Sequence, residues 1–217
     1  MSESEGIRWK SATVAIAAVT AVVSILFIVS GQLAEASLRF GFIAGRFGGS
    51  PMSQMLLAEA LPAWLTPFSA TLVHGSWLHL GFNLLMLVWV GSQVERVLGA
   101  ANLIFAYLVG ALVAAAAQWA TDPSAFTPMI GASGAISAII GAFALSFGRP
   151  KPIVRNFRLN RALNTLWILV AWVILQWMAS YLMGMEGVLV ATGAHVGGFV
   201  AGVLLQKPLL LWRYRRA

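Results

Sequence analysis

Charged residues divide this chain into six charge-free stretches, and this pattern restricts its fold more than any other feature. The stretches are 11–34, 60–94, 97–121, 123–148, 162–185 and 187–206. Each supplies the roughly 20 apolar residues that a helix needs to cross the hydrocarbon core of a bilayer. The composition agrees, since 59% of the 217 residues are apolar and only 10% are charged, whereas soluble domains carry about 25% charged residues. We therefore predict an all-α membrane protein with six transmembrane helices.

The second stretch is longer than one helix requires, and its first part contains two prolines. Because proline removes a backbone donor and interrupts helices, we predict one helix near residues 74–93 and irregular chain before it. The resulting connection between the first two spans, about residues 31–73, is much the longest. Its mixed segments 38–42 and 52–59 are typical of short helices in the membrane interface, so we predict a structured lateral element there.

The basic residues indicate which side of the membrane each connection occupies. With the N-terminus inside, twelve of the 14 Lys and Arg residues fall inside and two fall outside. The inside set is Arg8, Lys10, Arg96, Arg149, Lys151, Arg155, Arg158, Arg161, Lys207, Arg213, Arg215 and Arg216, and the outside set is Arg39 and Arg46. Because cytoplasmic loops carry the excess of positive charge, we predict that both termini are cytoplasmic. The basic loops flank the spans, which indicates contact with the lipid bilayer and no nucleic-acid surface.

The chain is predicted to form one membrane domain with two tails. We divide it into a cytoplasmic tail over residues 1–10, a six-helix domain over residues 11–206 and a basic cytoplasmic tail over residues 207–217. Residues 11–34 exceed an ordinary signal-peptide core, so we expect them to remain as the first span. We expect a multi-pass protein of a bacterial inner membrane, with a plasma or organelle membrane as the alternative.

The residue types exclude several kinds of catalytic site. The sequence has no cysteine, which excludes disulfides, thiolate catalysis and cysteine-based metal sites. All seven acidic residues fall in a terminus, a loop or the edge of a span, which excludes an aspartyl pair within the membrane. His74 and His79 lie five positions apart, poorly aligned on a helix, and no His-Glu-x-x-His motif occurs. We therefore predict no metal site and no cofactor.

Four polar side chains, Ser133, His195, His79 and Asn83, fall at one depth of the membrane. The basic residue that marks the inner end of each span is Arg149 for Ser133, Lys207 for His195 and Arg96 for His79 and Asn83. The four side chains lie 16, 12, 17 and 13 residues before these boundaries, in the order named above. At about 1.5 Å of rise per residue, their heights are roughly 24, 18, 26 and 20 Å in a core about 30 Å thick. All four therefore fall in its outer half. Polar groups are costly at this depth and indicate a functional site.

Small residues occur on the fourth and sixth spans close to Ser133 and His195. They are Gly134, Ser137 and Gly141 in the fourth span and Gly198 and Gly202 in the sixth. Small residues let helix backbones approach closely in lipid, so we expect these two helices to touch. One interpretation is that the helices only pack, with Ser133 and His195 as interhelical hydrogen-bonding groups.

The other interpretation is catalytic. The span around His195 contains no carboxylate to pair with it, and a serine with a histidine is the simplest pair of nucleophile and base. Since no Asp or Glu is placed to orient the imidazole, we predict a dyad of Ser133 and His195 and not a triad. His79 and Asn83, at i and i+4, both donate hydrogen bonds and could stabilise the negative oxygen that forms when serine attacks an amide. The structural alternative is that Asn83 only ties helices together.

Short motifs stand at 74–83, 95–99, 131–134 and 194–202, in that order along the spans. Together they resemble the rhomboid family of intramembrane serine proteases, over about Trp64 to Gly202. The resemblance implies a compact six-helix bundle with a water-filled cavity that opens outward.

The resemblance also implies a role for each matching residue. It implies Ser133 as nucleophile, His195 as general base, and His79 with Asn83 as oxyanion-hole side chains beside the backbone N–H of Ser133. It implies that transmembrane protein substrates enter laterally and unwind, since a helix shields its own peptide bonds. The fifth span, residues 162–183, would form the movable side with the long first loop. The alternative is that its tryptophans simply face lipid.

The chain departs from the family pattern at two points. Leu65 follows Trp64 where many members have arginine, so the anchoring of the first loop is undefined. Ser137 stands where some members have a tyrosine whose ring could hold the histidine. Two alternative functions stay open: a catalytically silent rhomboid-like protein that binds transmembrane segments, and a small transporter with polar groups near the midplane.

Overall fold

The computed structural model describes residues 11–48, 60–146, 154–182 and 191–215. Within these ranges the chain forms eight α-helices, with three short 3-10 helices in the connections and a π-helical segment, Leu87–Gly91, inside α4. The only extended pairing in these ranges is one isolated bridge. The helices are α1 (Ala12–Val29), α2 (Leu33–Phe40), α3 (Thr66–Ser69), α4 (Trp77–Leu98), α5 (Ala100–Thr121), α6 (Ser133–Ser146), α7 (Phe157–Leu182) and α8 (Thr192–Arg213). The predicted all-α membrane fold is confirmed.

Five of these helices, α1, α4, α5, α7 and α8, are long and apolar enough to cross a membrane. The fourth charge-free stretch, 123–148, contains α6, an apolar helix described over 14 residues. The described part of α6 is ~21 Å long at about 1.5 Å per residue, and residues 147–153, which follow it, lie outside the described residues.

The last helix extends further than its charge-free stretch. α8 continues through Lys207 and Pro208 to Arg213, whereas the sequence pattern ended the span at residue 206. Long basic side chains reach the interface from a helix end, and a proline is tolerated in a membrane helix whose neighbours supply partners for the freed backbone group. Charge therefore marks the depth of the boundary and not the end of the helix.

Helices α5, α6 and α8 form the centre of the bundle. α6 is the most enclosed of them, since all residues of 133–142 are buried. Its contact with α8 depends on glycine. A Cβ on Gly198 would overlap the carbonyl oxygen of Gly134, and a Cβ on Gly202 would overlap that of Ala138. The two backbones therefore touch along this face.

Further small residues complete the centre. A Cβ on Gly141 would overlap the carbonyl oxygen of Phe199 in α8. On the α5 side, a Cβ on Gly110 would overlap the Cβ of Ala138. Close backbone approach of this kind replaces the hydrophobic driving force that membrane helices lack.

The carboxylate of Glu95 attaches α1 to α4. Its Oε1 accepts the N–H of Ala12 at 2.8 Å, and its Oε2 accepts the N–H and the Oγ1–H of Thr13 at 2.9 and 2.6 Å. These N–H groups lie in the first turn of α1, where no intrahelical acceptor exists, and negative charge is favoured there by the helix dipole. Gly91 allows the approach, because a Cβ would lie 2.9 Å from Thr13 Cγ2.

The connection between α1 and α4 is structured where it is described. Phe42 pairs with Met129 in the isolated bridge, which joins this connection to the segment before α6. Arg46 Nη2 donates to the carbonyl of Leu61 at 2.8 Å and so anchors the loop that lacks the Trp-Arg pair. The predicted segment 38–42 overlaps the end of α2, while the predicted segment 52–59 lies outside the described residues.

Candidate active site

A hydrogen bond joins Ser133 and His195 across two helices. The distance between Ser133 Oγ and His195 Nε2 is 2.8 Å. Ser133 is the first residue of α6, and His195 is the fourth residue of α8. Both side chains are buried, with 9% and 4% of their surface exposed. The glycine-mediated packing of α6 on α8 therefore brings the predicted nucleophile and the predicted base into contact.

The segment before Ser133 adopts a conformation that requires glycine. Gly131 has a φ of +111°, a region that residues with a Cβ rarely adopt. Its N–H donates to the carbonyl of Ala70 at 2.8 Å. A Cβ at Gly131 would lie 2.7 Å from both Cε1 and Nε2 of His79. The predicted oxyanion donor His79 thus lies against the turn that leads into Ser133.

His74 supports the same turn through both of its ring nitrogens. Its Nε2 accepts the N–H of Ala132 at 3.3 Å, and its Nδ1 lies 2.9 Å from Ser24 Oγ. Because Ser24 donates its hydroxyl proton to the carbonyl of Leu72 at 2.7 Å, His74 must donate from Nδ1, which fixes its tautomer. Burial, together with the nearby His79, lowers the pKa of His74 to about 3. The ring is therefore neutral at pH 7.

His79 and Asn83 occupy successive turns of α4. His79 Nδ1 accepts the N–H of Gly75 at 3.3 Å, so the proton of the neutral ring is on Nε2, the nitrogen beside Gly131. Asn83 is 1% exposed, and its Nδ2 donates to the carbonyl of His79 at 2.9 Å. Its second N–H remains for another acceptor. Among the described contacts neither side chain bonds directly to Ser133, although His79 contacts its turn.

Ser137, one of the departures from the family pattern, links Ser133 to α7. Its Oγ donates to the carbonyl of Ser133 at 2.7 Å and accepts the Nε1–H of Trp172 at 2.7 Å. The indole ring of Trp172 also stacks on Phe82, with centroids 6.0 Å apart, and meets the imidazole of His195 edge-on at 6.5 Å. An aromatic ring does pack on His195, but α7 supplies it instead of position 137.

The tryptophans of α7 therefore differ in their surroundings. Trp167 and Trp177 are 68% and 60% exposed, as expected for residues that face lipid. Trp172, midway between them, is only 3% exposed. The five-residue spacing could not distinguish the inward-facing ring from the other two.

Gln176 contacts the dyad and is missing from the predicted site. Its amide Nε2 lies 3.2 Å from Nε2 of His195, the same atom that bonds to Ser133. The sequence did contain a signal. Gln176 is the only residue between Leu166 and Met178 with an amide or charged side chain, and a lone amide in an apolar span indicates a functional position.

The second ring nitrogen of His195, Nδ1, has no hydrogen-bond partner among the described residues. In a catalytic triad an acidic residue accepts the proton of this nitrogen and orients the ring. In the described part of the chain the ring is held by Ser133, by Gln176 and by its contact with Trp172. Among the described residues no acidic side chain bonds to this ring.

The all-helical bundle thus brings a serine and a histidine into contact at the start of a buried helix, an arrangement that suits a nucleophile and a base. Comparison with known sequences defines the family. The model of the family described as "Rhomboid domain" matches residues 62–212, which is more than half of the chain. The protein belongs to the rhomboid family.

Its relatives include rhomboid proteases of bacteria. "Rhomboid protease GlpG" of Pectobacterium atrosepticum is 34% identical over 139 residues, which cover 64% of this chain and 46% of that protein. GlpG of Yersinia pestis is 25% identical over 193 residues, covering 89% of this chain and 60% of that protein. "RHOMBOID-like protein 5" of Arabidopsis thaliana is 26% identical over 140 residues, covering 64% and 42%. The chain thus spans about half the length of the curated relatives it matches.

Proposed function

We propose that this protein is an intramembrane serine protease that hydrolyses peptide bonds in or near transmembrane segments of other membrane proteins. The observation that carries the proposal is the 2.8 Å hydrogen bond between Ser133 Oγ and His195 Nε2. Both groups are buried in helices whose other buried residues are apolar or small, apart from Gln206 in α8. A nucleophile within hydrogen-bond reach of a base is the arrangement that acyl transfer requires.

In the first half of the reaction, Ser133 Oγ attacks the carbonyl carbon of the scissile peptide bond. His195 Nε2 takes the hydroxyl proton as the C–O bond forms. The tetrahedral intermediate then collapses, the C–N bond breaks, and His195 returns the proton to the leaving amine. The product of this half is an ester between Ser133 and the acyl part of the substrate.

In the second half, water replaces the amine. His195 takes a proton from water as the water oxygen attacks the ester carbonyl, and it then protonates Ser133 Oγ as the acid product leaves. Each half passes through a negatively charged oxygen. The Nε2–H of His79, the free N–H of Asn83 and the backbone N–H of Ser133 are the proposed donors to it, and a single such donor contributes about 10²–10³ in rate.

The predicted depth of Ser133 supports access of water to this chemistry. Ser133 lies 16 residues before Arg149, which corresponds to the outer half of a ~30 Å core, so the chain that enters Ser133 would carry polar backbone at membrane depth. Non-helical backbone at that depth is tolerated only where it is buried in protein or lines a water-filled cavity. The turn at Gly131 and Ala132 is such backbone, and its N–H groups bond to Ala70 and His74.

The substrate would reach this cavity from the lipid beside α7. The proposed partners are therefore transmembrane protein substrates within the bilayer, and relatives from Pectobacterium and Yersinia support a bacterial inner membrane as the location. A separate cavity of about 680 Å³ lies between the first half of α7 and the bundle, at the end of α6 opposite Ser133, and is lined by Leu145, Phe157, Arg161, Leu169, Phe199 and Val203. It separates part of α7 from α6 and α8.

A fluorophosphonate probe tests the proposal directly, because such probes phosphonylate only activated serines. The purified protein in detergent would be treated with the probe, and the labelled residue would be identified by mass spectrometry. We expect labelling of Ser133 in the unmodified protein, none at this position in Ser133→Ala, and a loss of at least 10²-fold in His195→Ala, the scale expected for removal of a general base.

A second measurement separates a protease from a silent binder. The same three proteins would be reconstituted with a panel of single-span membrane proteins, and cleavage products would be sequenced. Loss of cleavage in both variants is the expected result. The proposal would be overturned by a folded protein that binds membrane segments, leaves Ser133 unlabelled and cleaves nothing. That result would favour a catalytically silent protein that binds transmembrane segments.

A further inference from the structure

Helix α7 is held to the bundle by very few buried residues. In its described part only Asn160, Trp172 and Gln176 are buried. Asn160 lies at the first turn of the helix, whereas Trp172 and Gln176 are one turn apart on the same face further along. Trp172 donates to Ser137 Oγ, and Gln176 bonds to His195. The distal half of α7 is therefore docked onto the proposed catalytic residues themselves.

Gln176 contacts Nε2 of His195, the ring nitrogen that takes the proton of Ser133 in the proposed reaction. His195 Nε2 lies 2.8 Å from Ser133 Oγ and 3.2 Å from Gln176 Nε2. A neutral imidazole has a single lone pair, on the nitrogen without a proton. When Gln176 donates its N–H to this lone pair, Ser133 has to share it, and a shared hydrogen bond is weaker than an exclusive one.

The conclusion does not depend on how the amide group is oriented. If the amide were turned, its oxygen would face His195 Nε2 and favour the tautomer that carries its proton there. That tautomer has no lone pair for Ser133. No described residue bonds to Nδ1 of His195 to oppose this change. In both orientations Gln176 reduces the capacity of His195 to accept the proton of Ser133.

We propose that Gln176 is a positioning residue through which the docking of α7 controls the dyad. While α7 is docked, Gln176 and Ser133 share Nε2 of His195 as hydrogen-bonding partner, and Ser133 is less reactive. When α7 moves outward, the contact with Gln176 breaks and Nε2 accepts a hydrogen bond from Ser133 alone. A contact of 3.2 Å leaves the hydrogen-bonding range by about 3.6 Å, so a displacement of less than about 1 Å is enough. The inference rests on the proposed function.

The inference predicts that removal of Gln176 increases reactivity. In Gln176→Met the side chain keeps its approximate length and loses its amide. We expect Ser133 to react with the fluorophosphonate about fivefold faster than in the unmodified protein, which is the factor equivalent to one neutral hydrogen bond. Most substitutions beside a catalytic site slow the reaction, so an increase is not explained by damage to the fold.

A carboxyl group at the same position should act in the opposite direction. In Gln176→Glu an ionised carboxylate accepts a hydrogen bond from Nε2–H, and a protonated carboxyl group donates one to the lone pair of Nε2. In neither state is that lone pair free for Ser133. We expect labelling of Ser133 to fall at least fivefold below that of the unmodified protein. The matched control is Leu175→Met, a neighbouring change at a residue that is 39% exposed, for which we expect no change in rate.

The experiment measures the second-order rate constant of labelling for all four proteins, with the melting temperature of each in detergent. Faster labelling in Gln176→Met, with slower labelling in Gln176→Glu, supports the inference. Equal or slower labelling in a Gln176→Met protein that melts normally overturns it. Failure of the proposed function has a different signature, because Ser133 of the unmodified protein would then not be labelled at all.

Discussion

The indole N–H of Trp172 and the carbonyl oxygen of Ser133 bond to the same hydroxyl group, that of Ser137. Ser137 Oγ accepts from Trp172 at 2.7 Å and donates to Ser133 at 2.7 Å. Both polar capacities of this buried hydroxyl are therefore used, and α7 is joined to the first turn of α6. A tyrosine at position 137 would leave no room for this arrangement with Trp172 in its present place.

Substitution of Ser137 tests this relationship. Ser137→Ala removes the acceptor of a buried indole N–H, and we expect the free energy of unfolding to fall by about 1–3 kcal/mol. In the double variant Ser137→Ala/Trp172→Phe the unsatisfied donor is also removed, so the loss should be smaller than the sum of the two single losses. Denaturation in mixed micelles gives the four values. Strict additivity would show that the hydrogen bond is not coupled.

The close contact between α6 and α8 is tested by comparing two glycine-to-alanine changes, one inside the contact and one outside it. In Gly202→Ala the new Cβ would overlap the carbonyl oxygen of Ala138, whereas in Gly81→Ala it would meet nothing within 4 Å. We expect Gly202→Ala to lower the melting temperature clearly, with a loss of at least about 2 kcal/mol, on the scale of overpacking. Gly81→Ala should be neutral or stabilising, since alanine favours helix. Equal effects of the two changes would contradict the close contact.

The cap formed by Glu95 is predicted to matter far more than a surface carboxylate. Glu95→Gln weakens three charge-assisted hydrogen bonds to Ala12 and Thr13, and we expect a loss of about 1.5–3 kcal/mol. Glu35→Gln is the control. Glu35 pairs with Arg39 at 3.0 Å, but both side chains are about half exposed, so this change should cost less than about 1 kcal/mol. Thermal melting of both variants in detergent measures the two losses of stability, and equal losses would contradict the prediction.

His74 should make the stability of the protein depend on pH. Its pKa is about 3 when folded and ordinary, near 6.5, when unfolded, so the unfolded chain binds the extra proton. Stability is therefore full above pH 6.5 and falls as the pH drops below it. Between pH 7 and pH 5 this contribution loses about 2 kcal/mol.

The comparison with His74→Gln isolates that contribution. Glutamine retains one acceptor for the N–H of Ala132 and one donor for Ser24, but it does not titrate. The variant should lose about 2 kcal/mol less than the unmodified protein over the same pH interval. Parallel stability profiles for the two proteins would show that His74 is not the group that titrates.

Much of the fold follows from where charge is absent. Each of the six charge-free stretches corresponds to one long helix of the bundle, although α4, α7 and α8 extend beyond their stretches, because a chain in lipid must satisfy its backbone polar groups internally. The pairing of Ser133 with His195 was also accessible from sequence, since depth can be counted from charged boundaries and glycines indicate which helices touch. Helix ends were less accessible, as α8 shows, because basic side chains reach the interface from inside a helix.

The residues that surround Ser133 and His195 could not be predicted from the sequence, for a different reason. Whether Trp167, Trp172 or Trp177 faces inward depends on the rotation of α7, and neither composition nor spacing fixes that rotation. The role of His74 depends on a tautomer that Ser24, 50 residues away, determines. Such contacts follow from tertiary packing, and only Gln176, as an isolated amide in an apolar span, left a local signal.

The position of Ser133 at the start of α6 has a consequence for where a substrate would be cut. The helix fixes the distance between Ser133 and Ser146 at 13 residues of rise, ~20 Å, whatever the thickness of the lipid. A thicker bilayer would bury the hydroxyl further from the membrane surface nearest to it, and a thinner one would bring it closer to water. If Ser133 cleaves substrates as proposed, their cleaved bond would be selected by its depth in the membrane.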